Sequence, residues 1–155
     1  MQMLPVKKII CPTDFSEPSY EALKTAVEMA DHFSAELIVV HVVTPIPFIP
    51  IHDDPSSFNL PVYEKEMETS AQKSLDRVFE EKIPKSLNCR TLVMQGDPAP
   101  QIVRLADDEA ADIIVIATHG LTGWRKFMFG SVTEKVIRLA NCPVLSIRVP
   151  SSEDL

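Results

Sequence analysis

The sequence predicts an α/β domain built around a buried parallel sheet, and three patterns point there. Short runs of β-branched and apolar residues, such as 37–43 and 113–116, lack the in-out alternation of a half-exposed strand. Between them lie longer stretches whose apolar residues recur at helical spacing. Strand and helix alternate along the chain, an order that gives parallel strands joined by right-handed crossovers.

The elements follow in order. Residues 7–11 end an apolar run that Pro12 stops. From 17 to 33 the spacing turns helical, with Ala22, Leu23, Ala26, Val27, Met29, Ala30 and Phe33 on one face. Ser16 is placed as its N-cap, and Pro18 falls in the first turn, where a missing N–H does little harm. Residues 37–43 are the second strand. Residues 64–87 read as mostly helical, with Met67, Ala71, Leu75, Val78 and Phe79 as the buried stripe and Pro84 ending or kinking it.

A third strand, 90–95, runs into Gly96, Asp97 and Pro98, which supply a turn, an N-cap and a first helical residue. Ile102, Val103, Leu105 and Ala106 mark the helix that follows. Residues 112–118 hold the most strand-like run, 131–139 a fourth helix and 143–149 a fifth strand. The connection 44–61 carries Pro45, Pro47, Pro50, Pro55 and Pro61, and suits either a binding loop or disorder.

Composition narrows the function. The 155 residues show no internal repeat or boundary, so 1–155 is read as one domain. A net charge of -7 disfavours nucleic acid and anionic membrane as partners. Cys11, Cys89 and Cys142 show neither CxxC spacing nor an even count, so no disulfide framework or zinc site is expected. Cys11 and Cys142 are read as buried free thiols. No signal segment or membrane span is legible, which suits a cytoplasmic protein.

In open parallel sheets a ligand sits beyond the carboxyl ends of the strands, where the winding reverses. Pro12, Thr13 and Asp14, then Val42 and Val43, then the loop after the fourth strand are placed to meet there. Three of the chain's four glycines, Gly120, Gly123 and Gly130, lie in that loop, where they let backbone N–H groups approach an anion. Gly130 and Ser131 open a helix whose free N–H groups favour phosphate. Arg125 and Lys126 add positive charge. A second reading stands beside this one: Ser131 and Glu134 fit a capping box. The loop is neither a Walker loop nor a dinucleotide fingerprint.

Other candidates are weaker. His119 has no carboxylate or serine partner at a fixed spacing and is read as held by backbone contacts. His41, in an apolar strand, is read as a satisfied core histidine. His52, Asp53 and Asp54 suit a solvated loop, and Asp107, Asp108 and Glu109 a solvated helix end. Asp14 is open to three roles: a purine contact, Mg²⁺ held through water, or a turn.

On these residues the sequence resembles the universal stress protein family. The likeness is carried by 8–16 (KIICPTDFS), 40–42 (VHV), Gly96-Asp97-Pro98 and 117–148. The family's ATP-binding members show a glycine, two residues, a glycine, nine residues, then glycine and serine or threonine. Gly120, Gly130 and Ser131 fit, and Ala117 replaces the first glycine. A methyl group is small there, but it would weaken the site if the position needs a positive φ.

The resemblance implies a five-stranded parallel sheet in the order 3-2-1-4-5 with helices on both faces over a core of 6–149. This is a Rossmann-like fold akin to the adenine nucleotide alpha hydrolases. It implies ATP, or ADP or AMP, with Mg²⁺ assisting. Adenine would lie near Asp14 and the backbone of Val42, with Pro12 in the binding set. Ribose would meet Ile116 and Ala117; phosphates would meet Thr13, Gly120, Gly130, Ser131 and Val132.

The expected function is a nucleotide-responsive regulator in stress response that acts on a protein partner the sequence does not identify. No catalytic or metal-ligating residue is assigned, because no base for water is evident. The alternatives are a slow ATPase and a nucleotide-free interaction protein. The last strand, 144–149, would lie at a sheet edge with only Arg148 as a charge, so a homodimer through it is expected, with Ile147 or Val149 near the two-fold axis.

Overall fold

Each apolar run forms a strand: β1 (Lys8–Pro12), β2 (Glu36–Val43), β3 (Cys89–Gln95), β4 (Ile113–Ala117) and β5 (Val144–Ile147). Each helically spaced stretch forms a helix: α1 (Glu17–Phe33), α2 (Leu60–Lys82), α3 (Pro98–Asp108) and α4 (Ser131–Leu139). The coordinates are a computed structural model that describes residues 4–46, 59–119 and 129–149. The strands are all parallel and lie in the order β3-β2-β1-β4-β5, as the resemblance implies.

The unbroken apolar runs follow from burial on both faces. Ile9, Cys11, Leu37, Val39, Ile113 and Val115 pack with Leu23, Ala26 and Ala30 of α1 and Leu75 and Val78 of α2. The residues between them, Ile10, Ile38, Val40, Ile114 and Ile116, pack with Ala99, Ile102, Leu105 and Ala106 of α3 and Val136 of α4. Fully burying each Val, Leu or Ile side chain among them is worth about 1.5–3 kcal/mol. Burial also pushes the Cys11 thiol up to about 12, which leaves it protonated and inert.

Local signals set the helix ends. Ser16 caps α1 and accepts from the Ser19 N–H at 3.3 Å. Ser34, left-handed at φ 53°, ends that helix. Gly96 has φ +134°, a conformation that L side chains rarely adopt, and its N–H reaches Val43 O at 3.0 Å.

Several expectations need correction. Helix α2 begins at Leu60, capped by Asn59, and ends at Lys82. Its buried residues are Ala71, Leu75 and Val78, whereas Met67 and Phe79 are exposed. Strand β5 stops at Ile147, so Arg148 and Val149 lie beyond it. Cys142 is half-buried rather than buried. Asp97 is the N-cap of α3 but makes no side-chain capping bond. The capping box does not form, because Gly130 holds the N-cap position and Ser131 is already helical.

Glu109 is not a solvated helix end. It accepts from Lys8 Nζ at 2.9 Å and pairs with Arg90 Nη2 at 2.6 Å. Glu36 completes a ring, 2.8 Å from Arg90 Nε and 3.5 Å from Lys8 Nζ. This ring ties the amino ends of β1, β2 and β3 to the end of α3. The Arg90 guanidinium, then Lys8, holds the Glu109 carboxyl below the usual range; Arg90 likewise lowers Glu36.

Candidate functional site

The winding reverses between β1 and β4, so the loops leaving these strands diverge and open a crevice at their carboxyl ends. A cavity of about 200 Å³ lies there, room for far more than one or two waters. Its walls come from residues distant in sequence. Pro12, Thr13 and Asp14 follow β1, Val42 ends β2, Ile116 and Ala117 end β4, and Gly130, Ser131 and Val132 open α4. These are the expected site residues with the exception of Gly120, which lies outside the described residues. Gly123, Arg125, Lys126, His52, Asp53 and Asp54 lie outside them too.

Proton accounting fixes the loop after β1. Ser19 Oγ has one hydrogen and donates it to Ser16 O at 2.8 Å. In its 3.0 Å contact with Thr13 Oγ1 it must therefore accept, and Thr13 donates. Thr13 Oγ1 in turn accepts from the Phe15 N–H at 3.1 Å. The hydroxyl that the resemblance assigns to phosphate thus already shapes the loop. Asp14 Oδ1 accepts from the Ser16 N–H at 3.0 Å and from the Ser16 hydroxyl. Of the roles open to Asp14, the turn is the one this geometry contains.

The start of α4 is pressed against the end of β4. The Gly130 N–H donates to Thr118 O, and a Cβ at Gly130 would sit 3.3 Å from that oxygen. Glycine eases this close approach; its φ of -57° is ordinary. Thr133, buried, donates from Oγ1 to Ala117 O at 2.6 Å and fixes the helix direction. Gly130 offers no side-chain cap, and the first N–H groups of any helix lack intrahelical acceptors. Those of Ser131, Val132 and Thr133 thus begin a positive helix end beside the cavity.

Ala117 lies within β4 and is not among the described non-glycine residues of positive φ, which are Phe15, Ser34 and Ala110. Ala117 lines the cavity without backbone strain.

Sequence reasoning missed part of the lining: Ser19, Val40, His41, Pro98, Ile102, His119 and Thr133. Val40 could have been found from the strand alternation that puts even-numbered strand residues on the α3–α4 face, and Ile102 from the buried stripe of α3. His41 is satisfied, as expected, but it is half-buried on the cavity wall and not in the core. Its Nδ1 lies 2.8 Å from Thr13 O, which only accepts, so that nitrogen carries the proton. Its ring packs on Phe15, centroids 4.5 Å apart. His119 Nδ1 is 3.0 Å from Thr118 Oγ1, a side-chain contact where a backbone one was expected.

Chemically, the cavity pairs an apolar wall of Val40, Val42, Ile102 and Ile116 with polar loops and a positive helix end. That combination suits a ligand with a flat apolar body and an anionic tail. Fold and site together define a doubly wound α/β protein with a crevice at the topological switch point.

The comparisons give the family. Residues 5–148 match the model of the universal stress protein family, and the chain belongs to that family. Universal stress protein MJ0531 of Methanocaldococcus jannaschii is 37% identical over 147 residues, covering 95% of this chain and 85% of that protein. Universal stress protein YxiE of Bacillus subtilis is 30% identical over 151 residues, covering 91% and 98%. Among solved structures, hypothetical protein MJ0577 superposes with a TM-score of 0.78 at 28% identity, covering 95% of this chain and 99% of that one. A universal stress protein in complex with cAMP gives 0.60 at 24% identity, covering 92% and 97%. One from Archaeoglobus fulgidus in complex with dAMP gives 0.55 at 23%, also covering 92% and 97%. At these last two identities the likeness is one of fold.

Proposed function

We propose that the crevice between β1 and β4 binds an adenine nucleotide, ATP with ADP and AMP as relatives, and that the protein acts as a nucleotide-responsive regulator in stress response. The observation that carries this reading is the convergence of five separate chain segments on one cavity with an apolar wall and a helix N-terminus. Structures of the same fold hold cAMP and dAMP, which supports an adenine nucleotide as the ligand class. Adenine would lie against Val42 near Asp14, ribose beside Ile116 and Ala117, and phosphate at Gly130, Ser131 and Val132. Gly120 would join them from the loop between.

Asp14 is the one carboxylate among the described lining residues, and its Oδ1 already holds Ser16. Mg²⁺ would therefore be held mainly by the nucleotide's phosphates and by water. The titratable groups on the wall are engaged in shaping loops, which supports binding over catalysis. Turnover, if any, would fall far below the enzyme median of about 10 per second.

The reading extends to a homodimer through β5 and to a cytoplasmic location. No helix among the described residues is long and apolar enough to cross a membrane.

Titration calorimetry tests the proposal. ATP should bind with a dissociation constant in the micromolar range, on the order of -8 kcal/mol. The absence of heat and of a thermal shift with millimolar ATP, ADP and AMP would overturn it.

A further inference from the structure

The ladder between β1 and β2 ends in an unusual way. Successive residues of a strand turn their N–H and C=O to its two neighbours alternately. In β2, Val40 faces β1, since Thr13 N–H donates to Val40 O at 2.8 Å. Val43 faces β3, since its oxygen accepts from Gly96. Val42 must therefore face β1, like Val40. Strand β1 stops at Pro12, paired with Val40, and the next ladder bond would run from the Val42 N–H to Thr13 O.

That bond is absent from the backbone hydrogen bonds of the described residues. The His41 side chain takes the acceptor: Nδ1–H donates to Thr13 O at 2.8 Å. The same ring packs on Phe15, which holds a left-handed φ of 64°. The Thr13 backbone is thus gripped by β2 at both its N–H and its C=O, through Val40 O and the imidazole. The Val42 N–H and C=O are left facing the gap above β1, and Val42 lines the cavity.

From this we infer that His41 is a positioning residue: its imidazole occupies the Thr13 carbonyl in place of the Val42 amide and keeps the Val42 peptide edge turned into the cavity. Resting on the nucleotide reading, that edge supplies a donor and an acceptor to the hydrogen-bonding edge of the purine. His41 itself acts through the backbone and does not touch the ligand.

Amide hydrogen exchange on the unliganded protein, with calorimetry using AMP, tests the inference. In the unmodified chain the Val42 amide should exchange about tenfold or more faster than the Val40 amide, which the ladder holds. H41F keeps a ring against Phe15 but loses the donor, so the Val42 amide should close onto Thr13 O. Its exchange should slow, and AMP affinity should fall about tenfold. H41N carries an amide nitrogen at the place of Nδ1 and should restore both values.

Equal protection of Val42 and Val40 in the unmodified chain would overturn the inference. So would an H41F variant whose Val42 exchange is unchanged, whatever its affinity. If the unmodified protein binds no AMP or ATP, the nucleotide reading fails while the exchange data still decide the role of His41. If H41F does not fold, the Val42–Val40 comparison in the unmodified chain and in H41N decides it.

Discussion

Gly130 shows how much one missing carbon can matter. The backbone there has an ordinary φ, so a larger residue could adopt it, but its Cβ would lie 3.3 Å from Thr118 O. A β-branched side chain adds bulk where, on the proposed function, phosphate would approach the backbone. Gly130→Val should therefore fold with a modest loss, about 1 kcal/mol for a poor N-cap, yet weaken ATP binding more than about tenfold. Calorimetry and a urea melt on the same variant separate the two effects, and unchanged affinity would remove Gly130 from the site. Residues of this kind were legible in the sequence because glycine clustering after an apolar strand signals close backbone approach. His41 was not, because its meaning depends on Thr13 in the loop after β1, and no local pattern shows which acceptor a ring nitrogen meets. The hydroxyl of Thr13 was similarly opaque: only the bonds of Ser19 reveal that its proton is in use.

At the scale of elements, the strands were readable because both faces of the sheet are covered, which removes the alternation and leaves plain apolar runs. Helix α2 was harder. It lies toward the β3 edge, so only Ala71, Leu75 and Val78 reach the sheet, and Met67 and Phe79 in the same apolar pattern face solvent. The charged ring at the amino ends of the strands escaped sequence reasoning, since Lys8, Glu36, Arg90 and Glu109 meet only once the strands are in register. Its carboxyls are held below their usual values by Arg90 and Lys8. A lowered folded value means that the unfolded chain takes up protons first as pH falls. The ring's stabilisation is thus fully present above the ordinary carboxylate range and is lost as pH drops through the folded values. Arg90 is 43% exposed, so solvent screening limits the contribution to about 1 kcal/mol. Glu109→Gln should lower stability by that order at pH 7, and the gap should close toward pH 3. Urea melts at the two pH values check this, and a gap independent of pH would mean that the ring's charge is not the cause.

At the scale of the whole molecule, the described residues leave β5 with one unpaired side. All four of its residues are half-buried, and Ile137 and Leu139 of the adjoining α4 stand exposed. An apolar edge of this kind invites pairing with a second copy about a two-fold axis, with Ile147 as the last strand residue near it. Light scattering at micromolar concentration should give twice the 17.3 kDa chain mass, and Leu145→Pro should give monomer or insoluble protein. A monomer mass for the unmodified chain would remove the homodimer. The strand order itself came from family likeness and not from any single residue, because which strands become neighbours is a property of the assembled sheet. The central claim, that residues scattered from Pro12 to Val132 form one nucleotide site, is tested most directly by amide chemical-shift mapping during titration with ATP. The expected result is a set of shifts confined to the backbone around Thr13, Val42, Ala117 and Gly130 through Val132, saturating with ligand. Saturable binding whose shifts cluster elsewhere, for instance at the Lys8–Glu109 end of the sheet, would contradict it, as would no shifts at all.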